Sequence, residues 1–284
     1  MPNAVPFIQF DNVSFRYDRT SDFVIRDVKV KIESGDFVAL IGQNGAGKTT
    51  LAKHINGILK PTSGRVLING RESQSYSRIE MAQSIGYCYQ NPDHQIFSQT
   101  VEAEVEYGPK ALGYSPEKVK QQMESTLELV DLTHRRKVHP SMLGRGERQR
   151  LAVASILAMG VSTLVVDEPT TGLDYVGVTR IMDLLASWNR QFNTTIIIIT
   201  HDIPIVADYI SRTILMTQGR VLMDGPKSKV LQNFKDLRTA AVRPPQVTRV
   251  AQALNLLDDG ASIITVPKLA TTLVNRVMRP TDGI

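Results

Sequence analysis

Residues 42–50 read Gly-Gln-Asn-Gly-Ala-Gly-Lys-Thr-Thr, "GQNGAGKTT", which fits the pattern G-x-x-x-x-G-K-[ST] at Gly42, Gly47, Lys48 and Thr49. The apolar run "FVALI" precedes it and "TLAKHINGIL" follows, so a strand feeds a glycine-rich loop that opens a helix. Such a loop, here Gly42, Gln43, Asn44, Gly45, Ala46 and Gly47, lets successive backbone N–H groups wrap an anion. The helix N-terminus at Lys48, Thr49 and Thr50 adds positive partial charge. In this pattern the lysine, Lys48, reaches the β- and γ-phosphates and the Thr49 hydroxyl coordinates magnesium. The spacing therefore implies a nucleoside-triphosphate site.

Outward from the loop, the chain falls into three stretches. Residues 1 to about 90 read as strands split by Gly and Asp: "FIQFDNVSFRY", "VIRDVKVKI", "DFVALIG" and "GRVLING". Residues from about 91 to 160 turn helical and charged. "SPEKVKQQMESTLELVDL" opens on a helix-start signal and places Val119, Met123, Leu127 and Val130 on one face. From Thr163 apolar runs return as "TLVVDE" and "TTIIIIT". Continuous Val and Ile runs alternating with helices predict buried parallel strands and an α/β fold. "TILMTQGRVLMDG" predicts a hairpin turning at Gln218-Gly219. Beyond about Asp236, "RPPQVTRVAQALNLL" and "VPKLATTLVNRVM" predict helices whose apolar faces pack either on the parent domain or on a partner.

Two strand ends carry further chemistry. Asp167 and Glu168 are consecutive carboxylates closing "TLVVDE". Strand neighbours point to opposite faces, but at a strand terminus the second can swing toward a ligand. The first suits magnesium, directly or through water, and the second can take a proton from an attacking water. His201 follows "TTIIIIT", at the carboxyl edge where open α/β sheets bind ligands, and suits a γ-phosphate contact.

Composition limits the alternatives. The 284 residues are 42% hydrophobic and 21% charged, an ordinary globular balance. The longest near-apolar window, Leu151 to Val166, is interrupted by Ser155, Gly160, Ser162 and Thr163, so no spanning helix is predicted. "MPNAVPFIQFDN" has neither a basic start nor an apolar signal core, which leads to the expectation of a cytosolic protein. The single cysteine, Cys88, allows no internal disulfide and no thiolate metal cluster. The net charge of +5 comes from scattered residues rather than a basic run, so no nucleic-acid partner is expected.

Taken together, these residues resemble an ATP-binding-cassette (ABC) ATPase over about residues 7 to 230. The resemblance implies a P-loop NTPase of ABC type. It has an N-terminal antiparallel β subdomain, a helical insert at about 91–160 and, here, a helical extension over 236–284 beyond a cassette of 7–235. The extension is a candidate dimerisation or regulatory element. By resemblance, Tyr17 in "VSFRY" matches the aromatic that stacks on adenine, and Gln90 in "CYQNPDHQIF" the glutamine linking magnesium and attacking water to a transmembrane partner. From the residues alone, Tyr17 is equally a strand aromatic and Gln90 a surface amide. Asp174 in "TTGLD" matches the loop that crosses a dimer interface.

"LGRGE", Leu143 to Glu147, stands where the family signature usually reads Leu-Ser-Gly-Gly-Gln. In a closed dimer that segment starts a helix aimed at the ATP of the other subunit. Gly144, Arg145 and Glu147 depart from the pattern, whereas Gly146 keeps it. Gly144 lacks the hydroxyl, a ligand worth about 1.5–3 kcal/mol to a charged group. Arg145 either restores a charge-assisted contact or points to solvent.

A finer resemblance lies in "YQNPDHQIFSQTVEAEVEYGPKALG", which is similar to the cassette of energy-coupling-factor importers for vitamins and transition-metal ions. It implies a cytosolic subunit that hydrolyses MgATP to power uptake, paired with a second cassette that is a copy of this chain or a similar one. The pair would dock at the cytoplasmic face of the cell membrane on a transmembrane scaffold that works with a small substrate-binding membrane subunit. Two other classes compete. A cassette acting on DNA or ribosomes usually carries two cassettes or a long coiled-coil insertion, and a regulatory cassette binds ATP with weak hydrolysis.

Overall fold

A computed structural model describes residues 7–257 and 262–278. In chain order the elements begin with β1 (Ile8–Phe15), β2 (Ile25–Ile32), β3 (Phe37–Ile41), α1 (Lys48–Ile55), β4 (Ser63–Ile68), β5 (Arg71–Glu72), α2 (Arg78–Ser84) and β6 (Ile85–Cys88). The middle of the chain forms α3 (Val101–Ala111), α4 (Pro116–Leu129) and α5 (Arg145–Leu157). There follow β7 (Thr163–Asp167), α6 (Tyr175–Phe192), β8 (Thr195–Ile199), α7 (Ile203–Tyr209), β9 (Arg212–Thr217) and β10 (Arg220–Pro226). The chain continues through α8 (Lys227–Leu231), α9 (Phe234–Thr239), α10 (Gln246–Ala253) and α11 (Val266–Met278).

The strands form two sheets. One is antiparallel, in the order β2-β1-β4-β5; the other runs β10-β9-β3-β8-β7-β6, parallel except for the β9–β10 hairpin. The expected N-terminal β subdomain is thus present, but β3 and β6 leave it for the parallel sheet. The continuous apolar strands explain that choice, because only a sheet covered on both faces buries every side chain of "FVALI" and "IIII". Alternation along each strand then divides the core. Val38, Leu40, Val165, Ile197, Ile199, Ile214 and Met216 face the antiparallel sheet and α1. Ala39, Ile41, Leu164, Val166, Ile196, Ile198 and Leu215 face the helices on the other side.

Helix α4 presents Val119, Met123 and Leu127 to the core, with Val130 just past its end, as its spacing predicts. Helix α5 is buried over most of its circumference at Leu151, Ala152, Val153, Ala154 and Leu157, because it packs on the parallel sheet as well as on α3. Ile156 lies against Gly86 of β6 closely enough that a β-carbon at 86 would come within 2.0 Å. The helical insert is therefore fastened to the strand that leads to Gln90. The hairpin turns at Gln218-Gly219, both with positive φ, as the sequence predicts.

Helix α9 crosses the expected boundary at 236, and its Leu237 and the following Ala240 belong to the main core. The last two helices fall where the sequence predicts them. They build a small cluster of their own around Ala251, Leu256 and Ile263, and Ile264 joins the main core. Among the described residues no helix is long and apolar enough to cross a membrane.

Candidate nucleotide site

The strand order β3-β8-β7-β6 lays four loops side by side at one edge of the parallel sheet. In that order they carry residues 42–49, His201, Asp167 with Glu168, and Gln90. A cavity of about 410 Å³ opens there, lined by Asn44, Gly45, Gly47, Lys48, Thr49, Thr50, Gln90, Asp167, Glu168 and His201, with Val24 and Ile199 at its walls. Residues from well-separated parts of the chain thus converge because the parallel topology brings their strand ends together.

The glycine loop is braced from behind. Gly219 of the hairpin turn donates its N–H to the Ala46 carbonyl at 3.1 Å, so the antiparallel edge props the loop. Gly42 has φ +151°, and a β-carbon there would sit 2.3 Å from the Met216 carbonyl oxygen. Lys48 Nζ donates to the Gly42 and Gln43 carbonyls at 2.9 and 3.0 Å, bridging the loop that it is expected to leave for a phosphate. Burial lowers the Lys48 pKa, against the raising influence of Glu168 and Asp167. The Tyr17 ring is exposed, shares a 3.3 Å hydrogen bond between its hydroxyl and Thr50 Oγ1, and stands edge-on to Phe15 beside the loop.

Thr49 Oγ1 donates to Asp167 Oδ2 at 3.1 Å, and the Tyr87 hydroxyl donates to the same oxygen at 3.0 Å. Tyr87 is a residue that the sequence reading did not single out. It lies on β6, next to β7, and alternation places it on the same sheet face as Val165 and hence Asp167. Burial, chiefly, pushes the Asp167 pKa up, while the Tyr87 and Thr49 hydrogen bonds hold it down. Burial and then the Asp167 carboxylate raise the Tyr87 pKa, so its phenol stays a donor.

Glu168 alone would fall on the opposite face from Asp167. Its φ of +50° turns the chain, and its side chain enters the cavity instead. Oε1 of Glu168 bonds His201 Nδ1 at 2.8 Å, and the Glu168 N–H donates to the Ile199 carbonyl at 2.8 Å. The residue expected to act as base is thereby tied to the strand and to the histidine beside it.

The signature residues lie elsewhere. Leu143 is buried in the core, and none of Leu143, Gly144, Arg145, Gly146, Glu147 or Asp174 lines this cavity. Gly144 caps α5, and the Glu147 carboxylate accepts the Gly144 N–H at 2.8 Å while pairing with Arg135 at 3.3 Å. Arg145 is exposed and does not enter the cavity, and its Nη2 donates to the Thr171 carbonyl at 2.9 Å. Asp174 caps α6 through the Gly177 N–H at 2.8 Å.

The residues fit magnesium triphosphate. The loop offers N–H groups, and the hydroxyl of Thr49 and carboxylate of Asp167 are hard oxygen donors. Among the described residues no three His, Cys, Asp or Glu side chains gather to hold a metal. A magnesium ion at this site would therefore take its remaining ligands from phosphate oxygens, water and Gln90.

Comparisons with known proteins place the chain in a family and a fold. Residues 25–171 match the family described as ABC transporter. The chain is 39% identical over 99% of its length to a Methanosarcina acetivorans protein provisionally named an ABC transporter ATP-binding protein, and spans 46% of that protein. The chain thus covers about half the length of the first relatives it matches. It is 38% identical over 89% of its length to the energy-coupling factor transporter ATP-binding protein EcfA of Methanocaldococcus jannaschii, of which it covers 90%. Among solved structures, CbiO1 of Clostridium perfringens, part of the ABC transporter complex CbiONQ, aligns over 87% of this chain and 99% of its own. Its TM-score is 0.76 at 30% identity. The dimeric ATP-binding cassette MJ0796, in a post-hydrolysis state with ADP and phosphate, aligns over 78% of this chain and 98% of its own, with TM-score 0.69 at 26% identity.

Proposed function

The chain belongs to the ABC transporter ATPase family, and from that premise we propose that it hydrolyses MgATP as the cytoplasmic motor of an energy-coupling-factor importer. The carrying observation is the convergence of Lys48, Thr49, Asp167, Glu168 and His201 on one cavity, while "LGRGE" lies outside it. In this reading a site so divided is completed by the signature of a second cassette, identical or related, and the similar ATP-binding cassette MJ0796 is dimeric.

In this reading Tyr17 supports the adenine, and the loop N–H groups and Lys48 hold the phosphates. Thr49, Asp167 and Gln90 hold the magnesium ion, which when bound neutralises charge on the phosphoryl oxygens. Glu168 accepts the proton of the attacking water as its oxygen bonds the γ-phosphorus and the bond to the ADP oxygen breaks. His201, fixed by Glu168, faces the phosphoryl group.

The importer assignment draws on the similarity to EcfA and CbiO1 and on residues 90–97. Gln95 anchors this segment, donating to Ala152 O at 2.7 Å and Ser155 Oγ at 3.1 Å on α5. Phe97 and Tyr107 stay exposed and packed edge-on, an apolar surface for a membrane scaffold that works with a small substrate-binding subunit at the cytoplasmic face. Vitamin or transition-metal cargo is read by that subunit rather than by this chain. The altered signature favours a second reading, a regulatory cassette with weak hydrolysis.

Phosphate release by the purified chain separates the two. Glu168→Gln is expected to retain MgATP and turn over at least about a hundredfold more slowly; unaltered turnover would remove Glu168 from its role. Copurification with membrane subunits, and not nucleic acid, tests the transport assignment.

A further inference from the structure

Arg145 occupies a position where the family signature has glycine, and its side chain grips a neighbouring loop. Besides the bond from Nη2 to the Thr171 carbonyl at 2.9 Å, the guanidinium lies against Gly172. A β-carbon at 172 would come within 2.5 Å of Arg145 Cζ and 2.8 Å of its Nε, so the guanidinium occupies the space that a side chain at 172 would take. Thr171 in turn donates from its N–H to the Glu168 carbonyl at 3.2 Å and from Oγ1 to Glu168 Oε2 at 3.4 Å. The other Glu168 oxygen holds His201. One hydrogen-bonded path therefore runs from the first turn of α5, through the 168–174 loop, to the carboxylate in the cavity of the same chain. The loop is secured at its ends by the Glu168–Ile199 bond and the Asp174 cap, and Arg145 holds its middle.

We propose that Arg145 is a positioning residue that holds the 168–174 loop and, through Thr171, sets the Glu168 carboxylate in its own chain. A planar guanidinium suits the task because it can lie flat on a glycine while donating sideways, which an ammonium cannot. The catalytic consequence rests on the reading of Glu168 as the base; the brace itself does not. Since the start of α5 is also the segment that meets the partner's nucleotide in that reading, Arg145 links each composite site to the base of the other.

Hydrogen exchange of the nucleotide-free full chain tests the brace, and steady-state kinetics test its effect. In Arg145→Ala, exchange at the Thr171 and Leu173 amides is expected to rise roughly fivefold, as for one lost charged hydrogen bond at a partly exposed site. Arg145→Lys should recover part of the protection, and the 42–49 loop should be unchanged. The same Ala variant should lose roughly fivefold in kcat with KM for MgATP unaltered. Unchanged exchange overturns the brace, and faster exchange with unchanged kcat overturns the positioning role. A raised KM with unchanged loop exchange would make Arg145 a ligand of the partner's nucleotide, and would also overturn the proposal. Absence of hydrolysis by the wild-type chain would count against the proposed function, while exchange would still decide the brace.

Discussion

Alanine at Gly42 and at Gly45 is expected to do two different kinds of damage, although the chemical change is the same. At Gly42, φ +151° lies outside what a side chain accepts, and the new β-carbon would meet the Met216 carbonyl oxygen at 2.3 Å. That oxygen belongs to the buried strand β9 and has nowhere to retreat. Backbone strain of about 1–3 kcal/mol and overpacking of about 1–3 kcal/mol add to roughly 2–6 kcal/mol. Against a total stability of about 5–15 kcal/mol, that leaves a marginal fold. Gly45 has φ +81° with no atom within 4 Å of its β-carbon, so only the left-handed backbone cost of about 1–2 kcal/mol applies. Its methyl, however, projects from a residue that lines the cavity, into the space read as phosphate-binding. Urea unfolding should therefore show Gly42→Ala as much the less stable chain. Calorimetry should show Gly45→Ala folded, with ATP affinity reduced roughly tenfold or more. Equal stability of the two variants, or normal ATP binding by Gly45→Ala, would refute the division of roles between back wall and ligand face.

Tyr87→Phe removes one of two donors to Asp167 and so raises further a pKa that burial already elevates. Protons then compete with magnesium, and the magnesium midpoint for hydrolysis should rise up to roughly tenfold near pH 6 and less near pH 8; an unchanged midpoint at both would clear Tyr87 of this role. His54 on α1 is buried, with Nδ1 on the Thr50 carbonyl at 2.7 Å, and burial lowers its pKa. The unfolded chain therefore binds the extra proton first, and the stability contributed by the neutral imidazole is present above about pH 6.5 and lost as pH falls toward the folded pKa. The unfolding free energy of the wild type should fall between about pH 7.5 and about pH 5.5, and His54→Leu should flatten that slope; an identical slope in both chains would exclude His54 as the source.

What could be read from the chain divides along the line between local and non-local. The 42–50 loop, the apolar strands and the Gln218-Gly219 turn are local patterns, and each stands where its residues predict. Asp167, Glu168 and His201 could be placed at strand ends and Gln90 only by resemblance, and the sheet order explains why these positions meet. Tyr87 was invisible because its role exists only once β6 lies beside β7. Thr171 lies 26 positions from Arg145, so no spacing rule connects them. Helix α2, inside a stretch that reads as strands, did carry a signal: Ser77 and Glu80 form a capping box with both reciprocal bonds in place. Its shortness, from Arg78 to Ser84, kept any helical period from emerging.

In the proposed function the hydrolytic site is shared between two cassettes, one giving Glu168 and the other "LGRGE". Phosphate release by an equimolar mixture of Glu168→Gln and Gly146→Asp chains tests it most directly. Each variant alone should be inactive while still binding ATP. In the mixture, half the dimers carry one site with both an intact signature and an intact base, so activity should return to about a quarter of the wild-type rate. A mixture as inactive as its components, beside an active wild type, would contradict a shared site formed by two copies of this chain.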